Sequence, residues 1–416
     1  MLRTFSSSRT SGPRAGRSRR RLVGLAASLV AVASLGLAVA PAHANGLAGI
    51  GLDRGTWTQV NPAAPWAARA GLQAVSLRGS FYVMGGRTPL NPAVVPFPGA
   101  SQIWDDVWRS DDRGQTWQPA TAHAPWPARA YFQAVTKGRA MYVLGGQNFR
   151  FGGCPGGAPA CSDFFSDVWR STDGASWTQL TADAGWTGRA GLSAVVHDHA
   201  IYVLGGSRND DSAVIGGPPQ REYFNDVWRS FDGVHWKRMT AAAPWEARAG
   251  AVVVSRGEWM YLLGGEKGFT CDSVPGQPGT CVPPYFNDVW RSKDGARWER
   301  VTAAAGWSPR PGHQCVVMLG QFLCFGGFGL QGNPVDMWAS WNGRDWRKLQ
   351  TTPWNATASE EIKYDFDALV VPGPLGLVPR LFTFGGDRET FDFTDPTNWL
   401  RVDGEVWRYG PQWRWP

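Results

Sequence analysis

The chain is short of most features that would point to a common functional class. Only one apolar run, Leu22 to Ala40, approaches the length needed to cross a bilayer, and no later segment does. Beyond that run, no stretch repeats its apolar residues at the helical period, which argues against helical and α/β architectures. Histidine is scarce, with six in 416 residues. None of them accompanies the closely spaced cysteine pairs in the loops as a metal site would require, so no metal or other cofactor is expected. Net charge is also missing from most of the chain. The total of +7 comes from 41 basic and 34 acidic residues. Arg3, Arg9, Arg14, Arg17, Arg19, Arg20 and Arg21 lie within residues 1–44, which hold no acid, so 34 basic residues face 34 acidic ones in the remainder. A neutral body gives no reason to expect nucleic acid as a partner.

The first 44 residues read as an export signal: a basic segment, the apolar run, and the small-x-small site Ala42-His43-Ala44. The mature chain is expected to begin at Asn45. Ser18-Arg19-Arg20-Arg21-Leu22 resembles a twin-arginine signal, so either that route or ordinary secretion is open. A secreted or extracytoplasmic location follows, with no membrane contact beyond the signal.

Residues 45–416 are full of glycine (52 in the whole chain) and tryptophan (24), and they repeat. Gly-Gly pairs stand at Gly85/Gly86, Gly145/Gly146, Gly205/Gly206, Gly264/Gly265, Gly326/Gly327 and Gly385/Gly386. Each is followed by Asp-Val-Trp or a near match, ending at Trp108, Trp169, Trp228, Trp290, Trp338 and Trp407, and then by a further Trp. The period of about 60 residues is that of an array or propeller. In the third unit, Leu192–Val196, Ala200–Leu204, Asp226–Arg229 and Trp236–Met239 read as strands a to d, bounded by turn residues. A sheet this short cannot bury both faces alone, so six units are expected to pack around an axis. Thr56–Val60 looks like a strand d with no preceding a, b and c. It is expected to complete the sixth blade, in competition with Gln412–Trp415.

The pattern hydrophobic-Tyr-Val-Leu-Gly-Gly, Asp-Val-Trp, Asp-Gly-x-x-Trp resembles the kelch repeat over roughly residues 55–416. The resemblance implies an all-β, six-bladed kelch-type β-propeller with four antiparallel strands per blade. The turn Ser110–Trp117 also resembles the Asp box of sialidase-type propellers, a turn that shapes a blade. The architecture is shared with galactose oxidase, but the ligands of its copper cannot be assembled from these repeats.

The six cysteines form three close pairs. Cys154/Cys161 and Cys271/Cys281, in Pro/Gly-rich loops of an exported chain, read as local disulfides. Cys315 and Cys324 fall opposite each other on strands a and b of the fifth unit. A buried thiol pair and a cross-strand disulfide are both open there.

In an antiparallel blade the b–c loops and the d–a connections share one rim, and the b–c loops are long, at about 20 residues in five repeats. The same rim carries Trp66/Arg69, Trp126/Arg129, Trp186/Arg189, Trp245/Arg248 and Trp307/Arg310, with Lys363 in the sixth repeat. The kelch resemblance implies arginines here that contact acidic ligands at the central mouth. These residues are therefore expected to form a cationic ring with aromatic faces, binding an anionic or glycan ligand. The alternative is scaffold, with the ring neutralised by Asp106, Asp167, Asp226, Asp288 and Asp336. No catalytic residues are assigned. A carbohydrate-active enzyme, sialidase-like or like the sialic-acid epimerases that use a six-bladed kelch propeller, would draw on Tyr364, Glu360, Glu361 and Asp365. A cell-surface scaffold for a partner protein is a third reading. A monomer is expected.

Overall fold

A computed structural model describes residues 51–411, apart from segments 92–99, 152–153, 155–159, 210–221, 269–283, 330–333, 356–362, 374–375, 377, 389–396 and 398–399. Residues 1–44, expected to be an export signal, and Glu360, Glu361, Cys271 and Cys281 lie outside the described residues.

Six four-stranded antiparallel sheets form the body of the described residues. The third is typical: Ser193–His197, Ala200–Leu204, Val227–Ser230 and Lys237–Thr240 pair in the order a-b-c-d. Strand b is wholly buried, because in a blade packed on both faces its alternation of sides brings no solvent face. Strand a of each blade meets strand a of its two neighbours, so the six first strands line the axis. The architecture is thus an all-β, six-bladed propeller. The sixth blade is built from Asp367–Val371, Arg380–Asp387 and Val402–Pro411, and its outer strand is Gly55–Asn61 from the other end of the chain. Trp57 stands opposite Tyr409 in that pairing, and the Tyr409 hydroxyl donates to the Leu52 carbonyl. Pairing first with last leaves no free edge where the chain ends meet.

Each junction between blades has its own apolar cluster. Between the second and third blades, for example, Tyr142, Leu144, Val168, Trp186, Leu192 and Val203 are buried together. The strand-b tyrosines Tyr82, Tyr142, Tyr202 and Tyr261 are buried in the core. The rings of Tyr82, Tyr142 and Tyr202 press on the Asp-Gly turn of the following blade. A Cβ at Gly174 would fall 2.6 Å from Tyr82 Cε1, and the same glycine has φ +79, so two requirements converge on it. The turn itself is tied by side chains: Ser171 Oγ accepts from Gly174 N–H, Asp173 accepts from Ala175 and Ser176, and Trp177 Nε1 donates to Gly174 O. In the longer Ser110–Trp117 turn, Asp112 accepts from both the backbone and hydroxyl of Thr116.

Cys154 and Cys161 form a disulfide. Cys315 and Cys324 form another, as directly opposed partners on strands a and b of the fifth blade, and this resolves the thiol-or-disulfide alternative. Two disulfides suit an extracellular or otherwise oxidising environment. No helix among the described residues is long and apolar enough to cross a membrane.

Candidate functional site at the channel mouth

The expected cationic ring is not open to a ligand. Arg69, Arg129, Arg189, Arg248, Arg310 and Lys363 are each no more than 2% exposed. Arg129 shows why. Its Nη1 and Nη2 each lie 2.8 Å from an Asp167 carboxylate oxygen, and Nη1 also donates to the Gly145 carbonyl. Its own backbone bonds to the preceding blade, donating to Trp104 O and accepting from Gly86 N–H. The residue is a staple: the side chain holds its own blade and the main chain holds the previous one. Arg69, Arg189 and Arg248 repeat the arrangement with Asp106, Asp226 and Asp288, and Arg310 reaches Asp336 through Nη1 while its Nη2 donates to Ser308 Oγ. Lys363 pairs with Asp403, at 2.8 Å. Guanidinium forks satisfied on both sides have neither charge nor donors to spare for a ligand. The tryptophans are enclosed as well. Trp66, Trp126, Trp186, Trp245 and Trp307 are 1–3% exposed and meet a strand-d or turn tryptophan edge-on, as Trp186 meets Trp236 at 4.5 Å. The scaffold alternative describes all eleven side chains.

What faces the mouth is a second girdle, a few residues further on. Gly71, Tyr131, Gly191, Gly250, Gly312 and Asp365 precede the six first strands. All six have φ between +50 and +64. Their peptides hydrogen-bond from one blade to the next: Asp365 N–H to Gly312 O, Gly71 to Asp365, Tyr131 to Gly71, Gly191 to Tyr131, and Gly250 to Gly191. A turn tight enough to close such a ring needs the left-handed region, which glycine enters freely. A residue with a Cβ pays about 1–2 kcal/mol there. Four of the positions are glycine, and Tyr131 and Asp365 are the two exceptions. Tyr131 lies back over Gly71, where a Cβ would come within 3.0 Å of its ring, and Asp365 lies over Gly312 in the same sense.

Just outside the girdle stand the residues that follow each Gly-Gly pair. Arg87 is the centre of a group there. Its Nε donates to the Tyr131 hydroxyl at 2.5 Å and its Nη2 to Asp387 Oδ2 at 2.8 Å. Burial opposes the Arg87 charge, but Asp387 beside it prevails and holds the guanidinium well above its ordinary value. Burial, with Asp365 and Asp387 adding to it against the pull of Arg87, keeps the Tyr131 phenol protonated far into alkali. Across the axis in the fourth blade, Glu266 is buried and accepts from Gly268 N–H and the Tyr223 hydroxyl. Tyr364, from the notional catalytic group, is 2% exposed and packs on Phe328.

Below the girdle runs the axial channel, which encloses about 440 Å3. Its wall is stitched by side chains reaching the next blade. Gln73 accepts from Ala134 N–H, Gln133 from Ala194 N–H, and Asp367 from Ala74 N–H at 2.6 Å. Burial pushes the Asp367 carboxyl up to about 7, although two backbone N–H groups pull the other way. His313 takes the place of Leu72, Phe132 and Leu192. It is 2% exposed, packs on Trp307, and neither ring nitrogen has a hydrogen-bond partner among the described residues. Burial and the nearby Arg310 charge push it down to about 3. His197, at the turn between strands a and b of the third blade, is buried, with Nδ1 2.8 Å from Ser255 Oγ. Among the described residues no group of three potential metal ligands occurs.

The rim above is extended by two-stranded ribbons: Arg87–Pro89 with Ser101–Ile103, Gln147–Phe151 with Ala160–Phe164, and Ser207–Arg208 with Glu222–Tyr223. In the fourth and sixth blades strands b and c run on past the Gly-Gly pair to do the same.

No protein-family model matches the chain, and no curated protein matches it. A solved structure, described as the structure of YjhT, superposes over 83% of this chain and 96% of its own, with a TM-score of 0.56 and 18% identity. The likeness is one of fold. It supports the propeller and assigns no chemistry to the mouth.

Proposed function

We propose that the chain is an exported, kelch-type propeller that binds a carbohydrate at the mouth of its axial channel. The observation that carries this reading is where the irregular features collect. The six blades repeat one another in their staples, turns and junctions, whereas the ribbons and the Arg87–Tyr131–Asp387 group all gather at one end of the channel. A concave site with a few convergent polar groups and perturbed titrations is the usual place for a ligand. A guanidinium, phenols, carboxylates and a ring of peptide groups offer donors and acceptors in mixed array, which matches the hydroxyls of a sugar. The Arg/Trp set named from the sequence supports this reading only indirectly, as the frame that holds the mouth in shape.

The test is to present mature protein to a panel of mono- and oligosaccharides and measure binding by calorimetry and ligand-observed NMR. Saturable binding that is lost in Arg87→Ala is the expected result. No binding to any sugar rejects the reading. NMR of the same mixtures over hours would reveal any chemical change in the sugar and so separate a binding protein from an enzyme.

A further inference from the structure

We propose that the protein carries a second binding site, on the face opposite the mouth, where a cleft between the fourth and fifth blades takes a tetrahedral oxyanion such as phosphate or sulfate, free or as the ester of a larger molecule. The site is independent of the reading of the mouth.

The cleft encloses about 230 Å3 and is lined by Arg291, Glu299, Arg300, Val301, Asn342 and Arg344. The first four lie on strands c and d of the fourth blade, Tyr285–Ser292 and Glu299–Thr302, and the other two on the c–d turn of the fifth. In an antiparallel blade the c–d turns emerge at the end away from the b–c loops, which puts the cleft and the mouth on opposite faces.

Two features set this junction apart. The first is a pair of changes within the repeat. The corresponding turns of the second, third and fourth blades read Asp173-Gly174-Ala175, Asp232-Gly233-Val234 and Asp294-Gly295-Ala296, whereas the fifth reads Asn342-Gly343-Arg344. The amide keeps the turn: Asn342 Oδ1 accepts from Arg344 N–H at 2.9 Å and from Asp345 N–H at 2.8 Å, as Asp294 Oδ1 accepts from the N–H groups of Ala296 and Arg297. Relative to its siblings, this turn has lost one negative charge and gained one positive charge without changing its geometry. The second feature is the supply of spare donors. Arg344 Nε donates to Val301 O at 3.0 Å, which carries the side chain across the junction and leaves Nη1 and Nη2 with no acceptor among the described residues. Arg300 has no acceptor among the described residues either, and its guanidinium lies 5.6 Å from the centre of the Trp290 ring. Glu299, the carboxylate in the lining, is engaged by Arg291, and Asp345 beside the turn accepts from Asn342 Nδ2. Two guanidinium groups with N–H edges to give, in one cleft, suit an anion that presents several equivalent oxygens, as a phosphate or sulfate group does.

The test titrates inorganic phosphate, inorganic sulfate and methyl phosphate into the mature protein by calorimetry at fixed ionic strength. Saturable binding that weakens as sodium chloride is raised is the expected result. The repeat supplies the variants. Arg344→Ala and Asn342→Asp install residues that sibling turns carry, and Arg300→Gln installs the residue at Gln179, so all three should melt as wild type does. Arg344→Ala and Arg300→Gln should each lose about tenfold in affinity. Asn342→Asp keeps the turn bonds and restores the carboxylate, and should lose about threefold or more. Methyl phosphate bound as tightly as inorganic phosphate, or more tightly, supports the site and names an ester as its occupant; weaker binding of methyl phosphate supports it with the free ion. No saturable binding of any of the three anions to wild type would overturn the proposal. So would affinities within twofold of wild type in both arginine variants. Anion binding that is lost in Arg87→Ala but kept in Arg344→Ala would place the anion at the mouth and overturn it as well.

Discussion

The staple girdle and the mouth girdle are built from almost adjacent residues, yet they behave in opposite ways. The staples run through all six blades: five arginines and one lysine, each against a carboxylate, each sealed from water. The mouth girdle is uniform throughout only in its backbone, since two of its six positions, Tyr131 and Asp365, carry side chains where the other four have glycine. In a closed repeat, every junction poses the same packing problem and receives the same answer, so regular features belong to assembly. A ligand has no sixfold symmetry, and the residues that meet it show up as departures from the pattern.

The strongest way to break the comparison is to remove a staple. Arg189→Ala leaves Asp226 largely buried without its cation, and loss of one partner of a buried pair costs about 3–5 kcal/mol. The urea midpoint should drop sharply, and Asp226→Asn added to the same variant should recover part of the loss. A staple variant that keeps its midpoint but loses ligand would return the arginines to the site.

Asp367 puts a carboxyl in the channel wall where the equivalent positions hold the uncharged Gln73, Gln133, Ser193, Val252 and Gln314. Its folded value, near 7, lies above the ordinary 3.8. The native state therefore binds the proton more tightly than the unfolded chain, and stability falls as pH rises from about 4 to about 7. Asp367→Asn retains an acceptor for Ala74 N–H. It should be more stable than wild type at pH 7.5, by about 2–4 kcal/mol at most, and should flatten that slope in denaturation measured across the window. An unchanged slope would mean that the carboxyl is better solvated than its position indicates.

His313 breaks the apolar series of Leu72, Phe132 and Leu192. Held neutral down to about 3, it makes stability fall as pH drops below about 6.5, because the unfolded imidazole takes a proton that the folded one refuses. His313→Phe should remove that acid-side slope and gain about 1–2 kcal/mol by deleting two unpartnered buried nitrogens. A large loss on substitution would instead give the imidazole a partner. The mildest test runs against the mouth girdle itself. Gly191→Ala places a Cβ at φ +57 and 3.1 Å from Ala249 Cβ, and should cost about 1 kcal/mol in thermal denaturation. If it costs nothing, the glycines are not what the ring requires.

Much of the fold was readable before any coordinates. The period, the strand pattern within each unit and the N-terminal strand as the last blade's outer edge all follow from local spacing and turn chemistry. The close opposition of Cys315 and Cys324 follows from counting across the Leu319-Gly320 hairpin. The arginine repeat drew the reading of a binding ring for the same reason that the fold was legible: the motif Trp-x-x-Arg stands out because it repeats. Its acidic partners were visible in every Asp-Val-Trp, but an arginine and an aspartate 38 residues apart show no pairing until strands b and c bring them together. One sequence signal for the mouth existed. Aligned on the Arg, the second residue after it is glycine in Gly71, Gly191, Gly250 and Gly312, and it is Tyr131 and Asp365 in the other two units.

The amino-acid order alone determined that there would be six units, what each would look like and where its turns would fall, because these depend on neighbours within a few residues. Tertiary structure decided which charges are spent inside the wall and which face the opening. Burial and pairing depend on groups brought together from distant parts of the chain, and the free energy of a charge depends on those surroundings far more than on its place in a motif.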